Sequence, residues 1–313
     1  MNISRSAQLG VALSIGALSL AAAARTAGAQ RSRFRSDDRS SLDTTVTLDK
    51  NGTVNLTATE GNITVTGASA NQVRVHATSD DNNLRFDASA SEVTLSIRGG
   101  SDSRFEITVP YGARVVAHTR SGDISIRGTR GAVEARTASG DVRVEDVTSR
   151  LDVNTFSGDV GAESITGDVE MSTISGDVKI DDLKGNVDIQ TVSGDIGLRA
   201  VTAKLVRAKT TSGDVVYDGT IDPAGRYELS SNSGDIGLHV PRDANAQVTV
   251  STWNGTIDSQ FPITLTPGEH GIGTATAKRF TFQVGAGAAR ITAETFSGDV
   301  TISQNGHGAS ERR

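Results

Sequence analysis

The residues best placed to do chemistry in this sequence are aspartates that recur in one short motif. Ser-Gly-Asp followed by Val or Ile begins at Ser121, repeats every 18 residues as far as Ser193, and then returns with wider spacing. The aspartates of this motif, called the aspartate column below, are Asp123, Asp141, Asp159, Asp177, Asp195, Asp214, Asp235 and Asp299. A regular array of carboxylates can bind cations or cap turns, so both kinds of chemistry are considered.

Two interpretations of the aspartate column stay open. In the first, each carboxylate accepts hydrogen bonds from turn amides or a serine hydroxyl. In the second, calcium binds between adjacent turns and stabilises the fold. Its candidate ligands are then Asp123, Asp141, Asp159, Asp177 and Asp195. Calcium takes six to eight oxygens, more than one Asp per turn supplies, and the Gly-Gly-x-Gly-x-Asp pattern of calcium-binding β-rolls does not occur. We therefore expect turn capping and no cofactor, with calcium as the alternative.

Enzymatic motifs are missing from the sequence. The five histidines are scattered, and neither a Gly-x-Ser-x-Gly elbow nor a phosphate loop or dinucleotide fingerprint occurs. The sequence has no cysteine, which excludes disulfides, zinc–thiolate sites and cysteine nucleophiles. We expect a protein that is not an enzyme and has no catalytic residues.

The elements that position the aspartates form an 18-residue repeat, which we number from Gly131 as place 1, so that the aspartate is place 11. A second glycine lies nine residues from the motif glycine in several units, as at Gly131, Gly167 and Gly185. Place 7 is Thr in five consecutive units. Places 3, 5, 12 and 14 are apolar and alternate with polar residues. This alternation predicts two short strands per unit, joined by glycine turns.

The repeat predicts an all-β fold, a two-sided parallel β-solenoid with 18-residue coils (9 + 9) and an irregular β region before it. Stacked coils place identical residues above one another, so that each place keeps one environment. An antiparallel β-meander or sandwich is the alternative that periodicity leaves open. A last coil is expected over 291–302, and the N-terminal region and the insertion are candidates to cover the open ends of the sheets.

Place 8 carries a further candidate site. If alternation holds, its side chains face outward beside the turn and form an apolar stripe that suits a partner or a second copy of the chain. In the alternative, the corner turns these side chains back over the core. The residues of this apolar stripe are Phe156, Ile174, Val192, Trp253 and Phe296.

The first residues have the composition of an export signal. Arg5 precedes an uncharged apolar run, and Ala27-Gly28-Ala29 is a small-residue cleavage site. The apolar run is shorter than the ~20 residues that span a membrane. The expected organisation is a signal peptide over 1–29, a flexible leader over 30–41, an N-terminal β region over 42–110, the solenoid over 111–303 with an insertion over 260–281, and a flexible tail over 304–313.

The repeat behind a signal peptide, the run Val109-Pro110-Tyr-Gly-Ala and the closing Thr295-Phe-Ser-Gly-Asp-Val resemble a bacterial family of uncharacterised β-strand-repeat proteins, the putative adhesins. The resemblance implies a β-solenoid in the cell envelope and no catalytic residues. We expect an exported adhesin or envelope scaffold that binds an envelope or surface component, protein or glycan. It would lie in the periplasm, on the outer surface or outside the cell, and self-association is open.

An envelope-stress sensing or regulatory module, or a calcium-stabilised β-roll, is the alternative function. The formal charge of −6 argues against nucleic acid as a partner, because phosphate contacts need clustered Lys and Arg.

Overall fold

Strands make up all the regular structure that the computed structural model describes, namely residues 30–32, 40–80, 83–99, 103–261 and 278–304. No α-helix occurs in these ranges, which confirms the all-β prediction. Within the same ranges, no helix has the length and hydropathy of a membrane span.

The strands follow one another with short turns. The N-terminal strands are β1 (Gln30–Ser32), β2 (Ser40–Thr47), β3 (Thr53–Glu60), β4 (Asn62–Ala68), β5 (Gln72–Ser79), β6 (Leu84–Ala88), β7 (Glu92–Ile97) and β8 (Arg104–Pro110). The strands of the regular repeat are β9 (Arg114–Ser121), β10 (Ile124–Arg127), β11 (Val133–Ser139), β12 (Val142–Val147), β13 (Leu151–Ser157), β14 (Val160–Thr166), β15 (Val169–Ser172), β16 (Val178–Lys184), β17 (Val187–Gln190) and β18 (Ile196–Thr202). The later strands are β19 (Leu205–Ser212), β20 (Val215–Gly219), β21 (Arg226–Ser233), β22 (Ile236–Val240), β23 (Ala246–Asn254), β24 (Ile257–Ser259), β25 (Lys278–Val284), β26 (Ala289–Ser297) and β27 (Val300–Gln304).

The two strands of each coil belong to two different sheets. In the described residues, one sheet has 14 strands in the order β1-β6-β7-β3-β9-β11-β13-β15-β17-β19-β21-β26-β23-β25. The other has 13 strands in the order β2-β5-β8-β4-β10-β12-β14-β16-β18-β20-β22-β27-β24. The coils of the repeat pair in parallel with an 18-residue step, as in Val133↔Leu151 and Val142↔Val160. The two-sided parallel solenoid is therefore confirmed, and the antiparallel alternative is wrong for the repeat.

The core is a thin layer between the two sheets, filled by the inward places of each coil. Places 3, 5, 12 and 14 are buried in the repeat, and the place 7 hydroxyl residues are buried with them. If inward and outward residues alternated strictly along the strand, the side chain of place 16 would also point into the core. The structure departs from this alternation at place 16. Place 16 has a left-handed backbone, with φ between 53° and 70°, in Gly128, Asp146, Ser164, Asp182 and Ala200.

This left-handed residue makes a corner that shifts the phase of the strand by one residue. Place 17 is consequently buried, as at Val147, Ile165 and Leu183. A non-Gly residue in this conformation is strained by ~1–2 kcal/mol. The burial of one more aliphatic side chain per coil offsets that cost, since it contributes about 1.5–3 kcal/mol.

The order of coils in space differs from their order in sequence at both ends of the rod. The coil of β26 and β27 is the last described, yet it lies between two others. β26 pairs in parallel with β21 on one side and β23 on the other, and β27 pairs with β22 and β24. The coil of β3 and β4 is likewise inserted between β7/β8 and β9/β10. The expected coil over 291–302 is present but does not end the rod.

Antiparallel strands lie at the ends of the sheets. β1 and β2 pair antiparallel with β6 and β5, and β25 pairs antiparallel with β23. Such strands cover edges that would otherwise pair with other chains. β1 and the start of β2 fall in the segment expected to be a leader, and β25 begins inside the expected insertion. The predicted signal peptide and most of the predicted tail lie outside the described residues, and the domain boundaries stay predictions.

Candidate functional site

The aspartate column runs along one turn edge of the rod as a continuous ladder of hydrogen bonds. In each step, the backbone N–H of one Asp donates to the carboxylate Oδ1 of the Asp in the preceding coil, as from Asp159 to Asp141 at 2.9 Å. Nine such bonds, of 2.7–2.9 Å, connect ten residues. In spatial order the ladder comprises Asn62, Asp123, Asp141, Asp159, Asp177, Asp195, Asp214, Asp235, Asp299 and Thr256. The carboxylates therefore bond turn amides, as the first interpretation expected.

The ladder also explains how like charges are stacked at coil spacing. Two carboxylates about 4.8 Å apart repel by roughly 0.9 kcal/mol in water, and each N–H dipole offsets part of that repulsion. The ladder begins at a neutral Asn62 amide and ends at the Thr256 N–H. At that end, hydrogen bonds from the backbone and side chain of Thr256 lower the pKa of Asp299.

Calcium binding by Asp123, Asp141, Asp159, Asp177 and Asp195 stays a prediction. In the described ranges, no group of three or more Asp, Glu or His side chains is arranged to hold a metal ion. One oxygen of each of these carboxylates is already an acceptor within the ladder, and the second oxygen of Asp177 lies 3.6 Å from Lys179 Nζ.

A column of motif glycines permits this close stacking. From Gly122 to Gly298 these glycines have φ between 133° and 156°. A Cβ added at any of them would lie 2.0–2.2 Å from the carbonyl oxygen of the glycine in the neighbouring coil. Both the backbone conformation and the space exclude a side chain, so Gly is required at place 10.

The threonines of place 7 lie inside the same turn. The hydroxyls of Thr210 and Thr295 donate to the carbonyls of Gly194 and Gly234 at 3.1 and 2.9 Å. In the middle of the rod the hydroxyls of Thr155, Thr173 and Thr191 are buried without a hydrogen-bond partner. Toward the N-terminal coils, the hydroxyls of Thr119 and Thr137 also donate to backbone carbonyls. The turn edge is therefore held by amide-to-carboxylate bonds throughout and by hydroxyl-to-carbonyl bonds on both sides of its middle coils.

A second acidic column lies on the outer face of the 14-stranded sheet at place 4, and arginines pair with Glu134, Glu170 and Asp188 of this column. Arg114 Nη2 lies 3.0 Å from Glu134 Oε2, and Arg150 Nη2 lies 2.6 Å from Glu170 Oε2. Partial burial raises the pKa of Glu134, but Arg114 and Arg136 outweigh it and the net pKa is lowered. The column comprises Glu134, Asp152, Glu170 and Asp188.

The apolar stripe points into solvent at the other side of the Ser-Gly-Asp turn. The exposed fractions of its side chains are large: Phe156 60%, Ile174 43%, Val192 49%, Trp253 49% and Phe296 54%. The corner does not fold these side chains back over the core. Whether they bind a partner stays a prediction.

The stripe consists of two apolar patches with a polar gap. The serines that follow place 8 are paired from Ser139 to Ser157, Ser175, Ser193, Ser212, Ser233, Ser297 and finally Asn254. Place 8 therefore runs, in space, through Ala138, Phe156, Ile174, Val192, Thr211, Asn232, Phe296 and Trp253. The last two rings are stacked, with centroids 6.0 Å apart and planes at 12°.

Comparison with protein-family models identifies the repeat. The family described as Toastrack DUF4097 matches residues 80–303. The chain belongs to this family. The Toastrack match begins just before β6 and ends within β27, so it includes the inserted C-terminal coil.

Two solved structures are similar to the chain at low sequence identity. One is a putative cell adhesion protein from Clostridium sporogenes ATCC 15579, with 9% identity and a TM-score of 0.24 over 85% of this chain and 100% of that chain. The other is a putative adhesin from Parabacteroides distasonis ATCC 8503, with 12% identity and a TM-score of 0.41 over 85% and 97%. No curated protein matches the chain.

One feature of this Toastrack rod was missed by the sequence analysis. Gly161, Gly197 and Gly237 lie in strands at place 13, on the outer face of the 13-stranded sheet, without a positive φ. A Cβ would meet nothing within 4 Å at Gly161, and atoms no closer than 3.8 and 3.5 Å at the other two. The sequence signal that could have identified these positions is a glycine within a stretch of alternating apolar and polar residues, away from any turn.

The three glycines occupy alternate coils. Lys179 lies between Gly161 and Gly197, and Val216 lies between Gly197 and Gly237. The outer face therefore has gaps about 10 Å apart, each two coils from the next. We call this strip the glycine face.

Two shallow depressions lie in the part of the chain that the structure describes. Depressions of about 530 and 280 Å³ lie at the N-terminal turns, and Asp49 lines both. In the larger one, Glu92 already accepts a hydrogen bond from Asn55 at 2.6 Å.

Proposed function

We propose that this Toastrack protein is an exported, non-enzymatic binding module, an adhesin or scaffold of the cell envelope, and that it binds an envelope or surface component through the glycine face. The observation that carries the proposal is the presence of Gly161, Gly197 and Gly237 at positions where the fold does not require glycine. Glycine in a strand interior weakens the strand and commonly marks a place where another molecule approaches closely.

The energetic argument is direct. Each glycine costs roughly 0.5–1 kcal/mol against alanine in a strand, and β-branched residues would fit the sheet better still. Glycine at these three positions lowers the stability of the fold, and no contact in the sheet requires it. A partner that lies flat on the sheet binds more closely where side chains are absent. Its atoms can then contact the backbone of the three glycines, beside the side chains of Lys179 and Val216.

The export half of the proposal is supported by the sequence. The apolar run after Arg5 and the small-residue site at 27–29 have the features of a cleaved secretory signal. A rod with a repetitive outer surface suits contact with an extended protein or glycan in the envelope.

The test uses the purified protein against whole cells and isolated envelope fractions. The variant G161T/G197T/G237T is expected to melt at a higher temperature, since the added side chains meet no close atom, and to bind the envelope fraction at least ~10-fold more weakly. The matched control S172T/S230T changes outward residues of the opposite sheet and is expected to leave binding unchanged.

Two results would contradict the proposal. If the unmodified protein binds neither cells nor envelope fractions, the function is wrong. If the triple variant binds as well as the unmodified protein, the glycine face is not the binding surface.

A further inference from the structure

The apolar stripe has the length of an interface. From Phe156 to Trp253 it crosses six coil steps, about 29 Å at the parallel-strand spacing. A standard interface buries about 800 Å² per partner, which corresponds to a patch of roughly this length. At its N-terminal end the stripe is bounded by Ala138 and then Arg120.

The columns on the two sides of the stripe differ in charge. On the side of the 14-stranded sheet, place 6 is neutral at Asn154, Ser172 and Gln190, beside the first apolar patch. Arg136 and Lys209 lie at the two ends of these three residues. On the other side of the stripe lies the exposed aspartate column.

We propose that the stripe binds a second copy of this chain, with the two rods side by side and parallel, related by a two-fold axis along the rod. This rotation brings the place 6 side of one rod against the aspartate side of the other in the same coil. Lys209 then faces Asp214 of the second copy, and Arg136 faces its Asp141. Charges of opposite sign therefore meet in these two coils. In the coil of Phe296, Glu294 faces Asp299 of the second copy, and Arg279 lies 3.9 Å from Glu294.

The parallel arrangement also matches the stripe to itself. Each apolar patch lies on the same patch of the second copy, and the polar gap of Thr211 and Asn232 lies on its own counterpart. Paired Asn and Thr side chains can hydrogen-bond across the axis, and a polar pair within an apolar seam fixes the register of an interface.

An antiparallel pair fits less well. With its two-fold axis at Thr211, an antiparallel pair would also bring apolar patches together. However, Val192 would then lie on Asn232 of the second copy, and the place 6 columns of the two rods would face each other. Lys209 would then meet Lys209 of the second copy. Like charges opposed across an interface disfavour it, so the charge pattern selects the parallel pair. The contact uses a rod edge and is independent of the glycine face.

The first test is sedimentation equilibrium of the purified protein up to millimolar concentration. We expect a reversible dimer, and I174D is expected to raise its dissociation constant at least ~30-fold, because a charge would be placed in the apolar seam. L205D is the matched control: Leu205 is also an exposed aliphatic residue, but it lies at the start of β19, at the end of the strand opposite the Ser-Gly-Asp turn. A monomer at every concentration, or equal effects of both variants, would overturn the proposal.

The second test reads the orientation. Since the chain has no cysteine, single cysteines report proximity cleanly. I174C and F296C are each expected to form disulfide-linked dimers under mild oxidation, with L205C remaining monomeric. Crosslinking at T211C without I174C or F296C would establish the antiparallel pair and overturn the proposed one.

Discussion

The carboxylate of each Ser-Gly-Asp turn acts as an acceptor for the backbone of the next coil. The step from Asp177 to Asp159 measures 2.9 Å, and the same bond recurs along the whole edge. Hydrogen bonds to a charged acceptor contribute about 1.5–3 kcal/mol when well formed and less when exposed to solvent. At the scale of the residue, the aspartate is thus explained by the amide that it binds.

We expect calcium to leave the melting temperature unchanged. The backbone amides already compensate the carboxylates, so thermal unfolding followed by circular dichroism should coincide in calcium and in chelator. A rise of several degrees that requires calcium would instead establish ions bound by Asp123 to Asp195.

Two glycines three residues apart should respond in opposite directions to the same substitution. G158A is expected to lower the free energy of unfolding by at least ~3 kcal/mol, because φ is 143° and the new Cβ would lie 2.1 Å from the Gly140 carbonyl. G161A is expected to raise it by ~0.5 kcal/mol, since nothing lies within 4 Å. Denaturant unfolding of both variants measures the difference, and equal losses would contradict the turn geometry.

At the scale of the strand, ion pairs across neighbouring coils fix the outer face. Glu228 on β21 accepts from Arg226 Nε at 2.6 Å and from Arg207 Nε on β19 at 3.3 Å. The bond from Arg226, together with that from Arg207, lowers the pKa of Glu228 although partial burial raises it. A carboxyl with a lowered pKa stabilises the fold above its ordinary value of 4.5, and this stabilisation is lost as the pH falls below that value.

E228Q tests this pair. At neutral pH it is expected to lower the melting temperature by about 1–3 °C, the effect of an ion pair worth ~0.5–1 kcal/mol. The difference from the unmodified protein should shrink as the pH falls from 6 to about 3. E163Q, whose carboxylate lies 3.8 Å from Arg143, is the control and should change little. A difference for E228Q that does not depend on pH would contradict the assignment.

Most strands could be predicted from the sequence, because the alternation of apolar and polar residues and the 18-residue period determine where strands lie. In the predicted N-terminal β region, the residues Val73–Ala77, Glu92–Ile97 and Phe105–Val109 alternate in the same way and lie in β5, β7 and β8. The corner at place 16 was not predicted, since alternation gives no sign of a left-handed residue. The signal was present in the polar place 16 followed by apolar place 17, as in Asp146-Val147 and Asp182-Leu183.

At the scale of the whole molecule, the order of the coils could not be predicted. Every Ser-Gly-Asp coil presents the same columns, so the coil at Ser297 fits beside Ser233 or beside Asn254 equally well, and in the structure it contacts both. A repeat specifies which residues stack but not which coil is the neighbour. Lengths of turns and the antiparallel edge strands decide that order, and they lie outside the repeat.

Hydrogen exchange can test the inserted coil. The amides of β26 and β27 lie between strands on both sides, so we expect them to exchange as slowly as those of β21 and β22. The three-residue β24, at the edge of the 13-stranded sheet, should exchange faster. Fast exchange throughout β26 and β27 would show that this coil ends the rod and that the described order is wrong.

The inserted coils also determine how the rod responds to tension. A terminal coil with one neighbour can be peeled away strand by strand, each step breaking a single row of hydrogen bonds. Tension applied through β27 meets rows on both sides, toward β22 and β24, while β26 is held by β21 and β23. To pull this coil out, the hydrogen bonds on both sides of each strand must break together. Such a cooperative step is slow, and its rate determines how strongly the coil resists pulling. A rod with inserted coils at its ends would therefore resist shear better than a rod whose terminal coil has a single neighbour.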